Sequence, residues 1–266
     1  MASFSVVNNI AAANAQANLI TTNMGLKTAL TRLSSGLRIN NSGDDAAGLS
    51  VANAYRSKVA VLNQGIRNAG DGLSTLQIKD GALNNISNLL DRLATLATQS
   101  ASTSSTVDRT KLNTEFKSVI AEIDREATVA GLNAATTFSV FISSDGANGV
   151  VGGSIAQADT TTLGVNASTI ETAFNAATAV ATIATAVGLL GTSQGNVGAL
   201  ENRLNFAVSL AQSQSVNNNA ADSRIRDANI AEESASMTRY NILTQSGIAA
   251  LSQANQSSSS ILSLLR

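Results

Sequence analysis

Two adjacent carboxylate pairs, Asp44-Asp45 and Glu232-Glu233, are the residues of this chain most suited to proton chemistry. Where two acids sit side by side, one can hold a proton while the other stays charged, as general acid–base catalysis requires. The helpers such a site would recruit are missing. With no His, the commonest general base and the commonest metal ligand are gone. With no Cys, there is no thiolate nucleophile, no thiolate metal site and no disulfide. Serines are abundant, but none is expected in a G-x-S-x-G or S-x-x-K context, and the chain has no Walker loop, dinucleotide fingerprint or metal-ligand spacing. Each pair also has a structural reading at the start of a helix, where negative side chains meet the positive end of the macrodipole. Asn85-Ile86-Ser87, Asn166-Ala167-Ser168 and Asn255-Gln256-Ser257 fit the glycosylation sequon, a match short enough to arise by chance. No catalytic, cofactor or metal residues are assigned.

The composition points to close-packed helices. Of the 266 residues 44% are hydrophobic but only 3% aromatic, so the apolar mass is Ala, Leu, Val and Ile. Pro is absent, which removes the commonest cause of a kinked helix. A net charge of −1 gives no electrostatic hold on nucleic acid or an anionic membrane. No run of about 18 consecutive apolar residues is present, so no membrane span is expected. The N-terminus lacks the basic start and compact apolar core of a cleavable signal peptide, a pattern that by itself points to the cytoplasm.

Helical periodicity organises most of the chain. Tyr55, Val59, Leu62, Ile66, Ala69, Leu73 and Leu76 step by four and three, and Leu83, Ile86, Leu90, Leu93 and Ala97 continue that register. A rod over about 46–100 is expected, about 80 Å long if unbroken. Gly65, Gly70, Gly72 and Gly81 predict a bend or short break near 70–81. Further helices are expected over 105–129, with Leu112, Phe116, Val119, Ile123 and Ala127 inward, and over 194–225, with Val197, Leu200, Leu204, Val208 and Ala211 inward. "TTFSVFISSDGANGVVGGS" alternates apolar and polar around Asp145-Gly146, the pattern of a β-hairpin. The Thr/Ala-rich stretch 160–190 is open between short strands, loop and a helix start near 172. Between the first stripe and the rod, Gly36, Asn40, Asn41, Ser42 and Gly43 mark a loop, with Asp44 or Asp45 as the N-cap of the rod helix.

The two ends differ from everything between them. Residues 2–26 and 240–265 carry no charged side chain. In the first, Val6, Ile10, Ala13, Ala17, Ile20 and Met24 form a helical stripe; after a register shift Leu26, Leu30, Leu33 and Leu37 resume it. In the second, Tyr240, Leu243, Gly247, Ala250, Ala254, Ser257, Ile261 and Leu264 hold the same spacing, beside a row of Ile248, Leu251, Leu262 and Leu265. A helix without a charged face has no side meant for water, and a lone one is barely stable. Both ends are therefore expected to pack on each other and on other chains. The buried anchors expected are Ile10, Ile20, Leu26, Leu33, Leu37, Leu243, Ile248, Leu251, Ile261, Leu264 and Leu265.

Three stretches resemble bacterial flagellins, the subunits of the flagellar filament. They are "NNIAAANAQANLITTNMGLKTALTRLSSGLRINNSGDDAAGLSVANAYRSKV", "EIDREATVAGLN" (122–133), and "ADSRIRDANIAEESASMTRYNILTQSGIAALSQANQ" with the closing "LSLLR". The resemblance implies a mainly α fold: a long coiled-coil-like helical rod from the two ends of the chain, with a small β-rich outer middle segment. It implies paired terminal helices forming a filament core (1–44 and 226–266), a rod (45–133 and 191–225) and a short, variable, outward-facing segment (134–190). It implies copies of the same chain as partners, an export chaperone on the C-terminal segment, filament cap and hook-junction proteins, and type III export to an extracellular flagellum. Nucleic acid and membrane are not expected partners, and no cofactor is. A Pro that flagellins often place after "QANQ" is replaced here by Ser257–Ser260, so the last helix is expected to run on. The resemblance also matches Arg92, Leu96 and Glu115 to a contact with the host's flagellin-sensing Toll-like receptor, while Asp91, Ala94 and Thr95 depart from that pattern. The rival readings are a hook–filament junction protein, which shares the terminal design, then a secreted membrane-inserting translocator, then an enzyme.

Overall fold

The computed structural model describes residues 8–103 and 108–264, without the side chains of Ala147 and residues 258–264. Among them the elements in chain order are α1 (Ile10–Ser35), α2 (Ala46–Ala101), α3 (Arg109–Val129), β1 (Thr136–Phe141), β2 (Val150–Ile155), α4 (Ala173–Arg226) and α5 (Ile230–Leu264). The fold is mainly α with one small two-stranded sheet. The chain divides into two compact units. One takes the described residues of Met1–Ser57 and Asn218–Arg266, the other those of Lys58–Asn217.

The second unit has one continuous core. α3 runs antiparallel to α2, tied by Arg92 Nε to Glu115 (2.9 Å), Asn85 Nδ2 to Glu126 (2.9 Å) and Lys79 Nζ to the Gly131 carbonyl (2.9 Å). α4 is antiparallel to α2 as well, through Gln194 Nε2 to Asn84 (3.2 Å) and Ser215 Oγ to Asn63 (3.2 Å). Leu76, Leu83, Ile86, Leu90 and Leu93 of α2 meet Phe116 and Ile123 of α3 and Ile183, Leu190 and Val197 of α4 in this core. Lys79 caps the C-terminal end of α3, and burial pushes its ammonium below the usual lysine range.

β1 and β2 pair antiparallel from Thr136↔Ile155 to Phe141↔Val150, as the alternation predicts. The connection closes with a 3-10 turn at Gly146–Gly149, entered through Gly146 at φ +62°, a left-handed conformation that favours glycine. Phe138, Val140, Ile142 and Ile155 belong to the helices' core. The middle segment is thus packed into the second unit rather than standing apart from it.

The expected break in α2 does not occur: Ala46–Ala101 is one helix of 56 residues. The glycines that suggested it have another use. A Cβ on Gly65 would lie 1.9 Å from the Ile142 carbonyl oxygen, and one on Gly72 would lie 2.7 Å from Val140 Cγ2. They let the hairpin approach the helix closely, and that packing offsets the ~1 kcal/mol by which each glycine disfavours a helix. α4 begins at Ala173, which resolves the open stretch 160–190 in favour of the helix start near 172 and runs it without interruption into the helix expected from 194. Ala176, Ala179, Ile183, Ala186, Leu190, Ser193 and Val197 are buried at alternating spacings of three and four, a heptad written mostly in small residues. By length and composition alone α4 is apolar enough to cross a membrane, and its buried face lies in the core from Ala176 through Leu200 and Leu204 to Ala211. The expected start of α3 at 105 falls outside the described residues; Asp108 caps the helix, accepting from Lys111 N–H at 3.3 Å.

Candidate assembly faces

In the first unit α1 and α5 form an antiparallel pair. Asn9 Nδ2 donates to the Ala254 carbonyl (2.9 Å), Leu19 lies against Gly247, Gly25 against the Tyr240 ring, and Arg32 pairs with Glu233 (3.1 Å). Gly25 and Gly247 are notches: an added Cβ would sit 2.5 Å from Tyr240 Cζ or 2.9 Å from Leu19 Cγ. Each helix thus offers one large side chain to a gap in the other, which fixes the register. Beyond α1, Gly36 turns the chain at φ +70°, and Leu37 bridges Asp227, with Ala228 N–H donating to the Gly36 carbonyl at 2.9 Å.

Both carboxylate pairs are structural here. Asp45 accepts from Gly48 N–H (2.8 Å) and is the N-cap of α2, whereas Asp44 closes the preceding loop by accepting from Asn40 and Asn41 N–H (3.0 and 2.9 Å). Those amides, Asn41 first, hold the Asp44 carboxyl below the usual carboxylate range. Glu232 and Glu233 lie in the first turn of α5. Sequence reasoning overlooked one G-x-S-x-G spacing, Gly191 to Gly195. Its Ser193 is buried inside α4 and donates to the Leu189 carbonyl (3.3 Å), so it presents no nucleophile. Among the described residues no cluster of three His, Cys, Asp or Glu could hold a metal ion.

The contact between the paired helices uses little of their apolar surface. On α1 the sheltered positions are Ala12, Ala15, Leu19, Thr22, Leu26, Ala29 and Leu33, a heptad seam; on α5 they include Tyr240, Thr244, Gly247, Leu251 and Ala254. Ile10, Ala13, Ala17, Ile20 and Met24 all point outward, with Ile20 56% exposed. After the apparent register shift Leu26 and Leu33 join the inward seam, whereas Leu30 stays exposed.

The expected anchors divide accordingly. Leu26, Leu33, Leu37 and Leu251 are half-buried within the chain, whereas Ile10, Ile20, Leu243 and Ile248 are exposed. The backbone of α5 is unbroken to Leu264, but the side chains of Ile261 and Leu264 are not described; Val6 and Leu265 lie outside the described residues. Arg92 and Glu115 stand at the surface of the second unit, paired with each other across α2 and α3. Leu96 does not join them: at 1% exposure it is part of the core and offers a receptor nothing to touch.

A helix pair that carries no charge over residues 10–26 and 240–264 and leaves an apolar row outside is the architecture of a subunit with surface left for neighbours. Comparison with known proteins gives it a family. Residues 6–139 match the bacterial flagellin N-terminal helical region, and residues 180–265 match the bacterial flagellin C-terminal helical region. The chain is 35% identical to flagellin FlaB1 of Treponema pallidum and 37% identical to a flagellin of Halalkalibacterium halodurans, each over 97% of this chain and 98% of the relative. It is also similar to the crystal structure of Bacillus cereus flagellin, with 25% identity and a TM-score of 0.48 over 54% of this chain and 88% of that one. The chain belongs to the bacterial flagellin family and is a structural subunit of the flagellar filament.

Proposed function

We propose that this chain polymerises by folding and assembling its two ends together. Residues 1–44 and 226–266 form the inner core of the filament, 45–133 and 191–225 a surrounding rod, and 134–190 an outward-facing segment. The observation that carries this reading is the state of the first unit, whose only buried side chains among the described residues are Ala29, Ile39 and Ala52. Fixing each residue costs about 1–2 kcal/mol of backbone entropy, which burial this thin does not offset. Neighbouring copies supply the remainder by covering Ile10, Ile20, Leu243 and Ile248, and they close over Leu26, Leu33, Leu37, Leu251, Ile261, Leu264 and Leu265. The chain performs no catalysis. An export chaperone holds the C-terminal segment, type III export delivers the subunit, and hook-junction and cap proteins bound the growing polymer. Arg92 and Glu115 are the residues available to a host receptor.

Deleting residues 240–266 tests the proposal. Circular dichroism should retain the helices of the second unit, while sedimentation and electron microscopy find no polymer. Normal filaments from the truncated chain would refute the role of the tail.

A further inference from the structure

The first unit has two unpartnered surfaces of different shape. One is the outward row of α1: Ile10, Ala13, Ala17, Ile20 and Met24, spaced three and four apart. The other is an open groove of about 440 Å³ along the flank of the α1·α5 pair, walled by Asn18, Thr22, Tyr240, Leu243, Gly247 and Ala250. Leu19, seated against Gly247, forms its floor, and short side chains such as Thr22 and Ala250 leave the channel beside it open. Neither surface carries a charge, since residues 2–26 and 240–265 have none. A charged or strongly hydrated partner would find nothing to pair with on either. A ridge of Ile, Met and Ala can lay its apolar side chains along Leu19, Tyr240, Leu243 and Ala250 of such a trough, while the uncharged Asn18, Thr22 and Ser246 stay at its rim.

We propose that the Ile10–Met24 row of one copy seats in the α1·α5 groove of a neighbouring copy. This rests on the assembly reading above and names which face meets which. Row and groove lie on different sides of α1, so no copy fills its own groove with its own row. The contact is heterologous, one surface meeting a different one, and such a contact propagates as an open helical polymer when its rotation does not close. Met24, Ile10 and Ile20 are the ridge residues with the most side chain left to cover.

The chain contains no cysteine, so introduced thiols are the only ones present. Ala17→Cys and Ser246→Cys in one chain place a thiol on the row and another at the groove. Filaments of this double variant are treated with a short bis-maleimide and dissolved without reductant. The expected result is a ladder of covalent multimers from the double variant and nothing beyond dimers from either single variant. Filaments that give no ladder, or only internally linked monomers, overturn the row-in-groove contact while leaving assembly through the termini intact. If that pair of substitutions blocks polymerisation, Ala13→Cys with Ala250→Cys asks the same question with the same outcomes. A failure of the unsubstituted chain to polymerise would instead overturn the assembly reading itself.

Discussion

The two units use the same helical code and finish it differently. In the second, α2 packs with α3, the hairpin and α4, and its Leu and Ile stripe disappears into the core. In the first, among the described residues, α5 is the one helix packed along α1, and whole rows stay in solvent. The difference lies in the number of partners per helix rather than in the strength of the stripe. A heptad stripe reports that a face will be covered. It does not report whether the cover comes from the same chain.

Substitutions should separate the units. Phe116 is fully buried against α2, and Phe116→Ala should cost about 3–5 kcal/mol in denaturant unfolding of the free subunit. Ile20→Ala removes a side chain that the free subunit leaves exposed, so its effect there should stay within about 0.5 kcal/mol. Its effect belongs to the polymer: losing the burial of part of an Ile per contact, about 1–2 kcal/mol, should raise the critical concentration by roughly 5–30-fold. A large loss of free-subunit stability from Ile20→Ala would mean that the first unit is already complete alone.

Glycines sharpen the comparison at a smaller scale. Gly65→Ala puts a methyl against the backbone oxygen of Ile142, an atom that cannot step aside without moving the hairpin. It should destabilise the second unit by about 1–3 kcal/mol, the ordinary range for overpacking. Gly81→Ala on the same helix meets open space and should stabilise it by up to about 1 kcal/mol. Equal effects at the two positions would show that the hairpin does not press on α2 as described.

What was legible in the sequence follows from the same physics. Stripes of large aliphatics were readable because Leu and Ile at spacings of three and four have few other uses, as at Leu83, Ile86 and Leu90. The first half of α4 stayed one of three open readings, because Ala176, Ala179 and Ala186 are equally at home in a loop and only tertiary packing makes them core. The false break in α2 arose because a glycine's helix penalty is visible in sequence and its tertiary contact is not. The pins that hold the loop after β2 were invisible for a similar reason. Asp124 accepts from both N–H and Oγ of Thr160 (2.9 and 2.8 Å), and Asn113 Oδ1 accepts from Ile170 N–H (3.1 Å), pairings far apart in the chain. At the assembly faces the sequence marked the right uncharged segments but could not tell seam from outward row, because both are apolar at the same period.

The smallest expected effect is that of pH between 5 and 8. Without His or Cys the chain has no side chain whose ordinary pKa lies inside that window, and both terminal segments are uncharged. The groups that do shift act outside it. Backbone amides hold Asp44 and Asp108 low, and the Arg125 guanidinium does the same for Glu122. A carboxylate whose folded pKa is depressed contributes stability above its unfolded value, about 4, and that contribution is lost as pH falls through the folded value. Lys79 carries its own proton bookkeeping. Burial lowers its pKa, so the unfolded chain holds the proton to higher pH and stability climbs as pH rises through that interval. The melting temperature of the free subunit and the fraction polymerised should therefore both be flat from pH 5 to 8, and the melting temperature should fall below about pH 4. A midpoint near pH 6.5 in polymerisation alone would require a proton taken up at a contact between copies, by a carboxylate desolvated there, and would place a charged group inside a face that the row and groove leave free of charge.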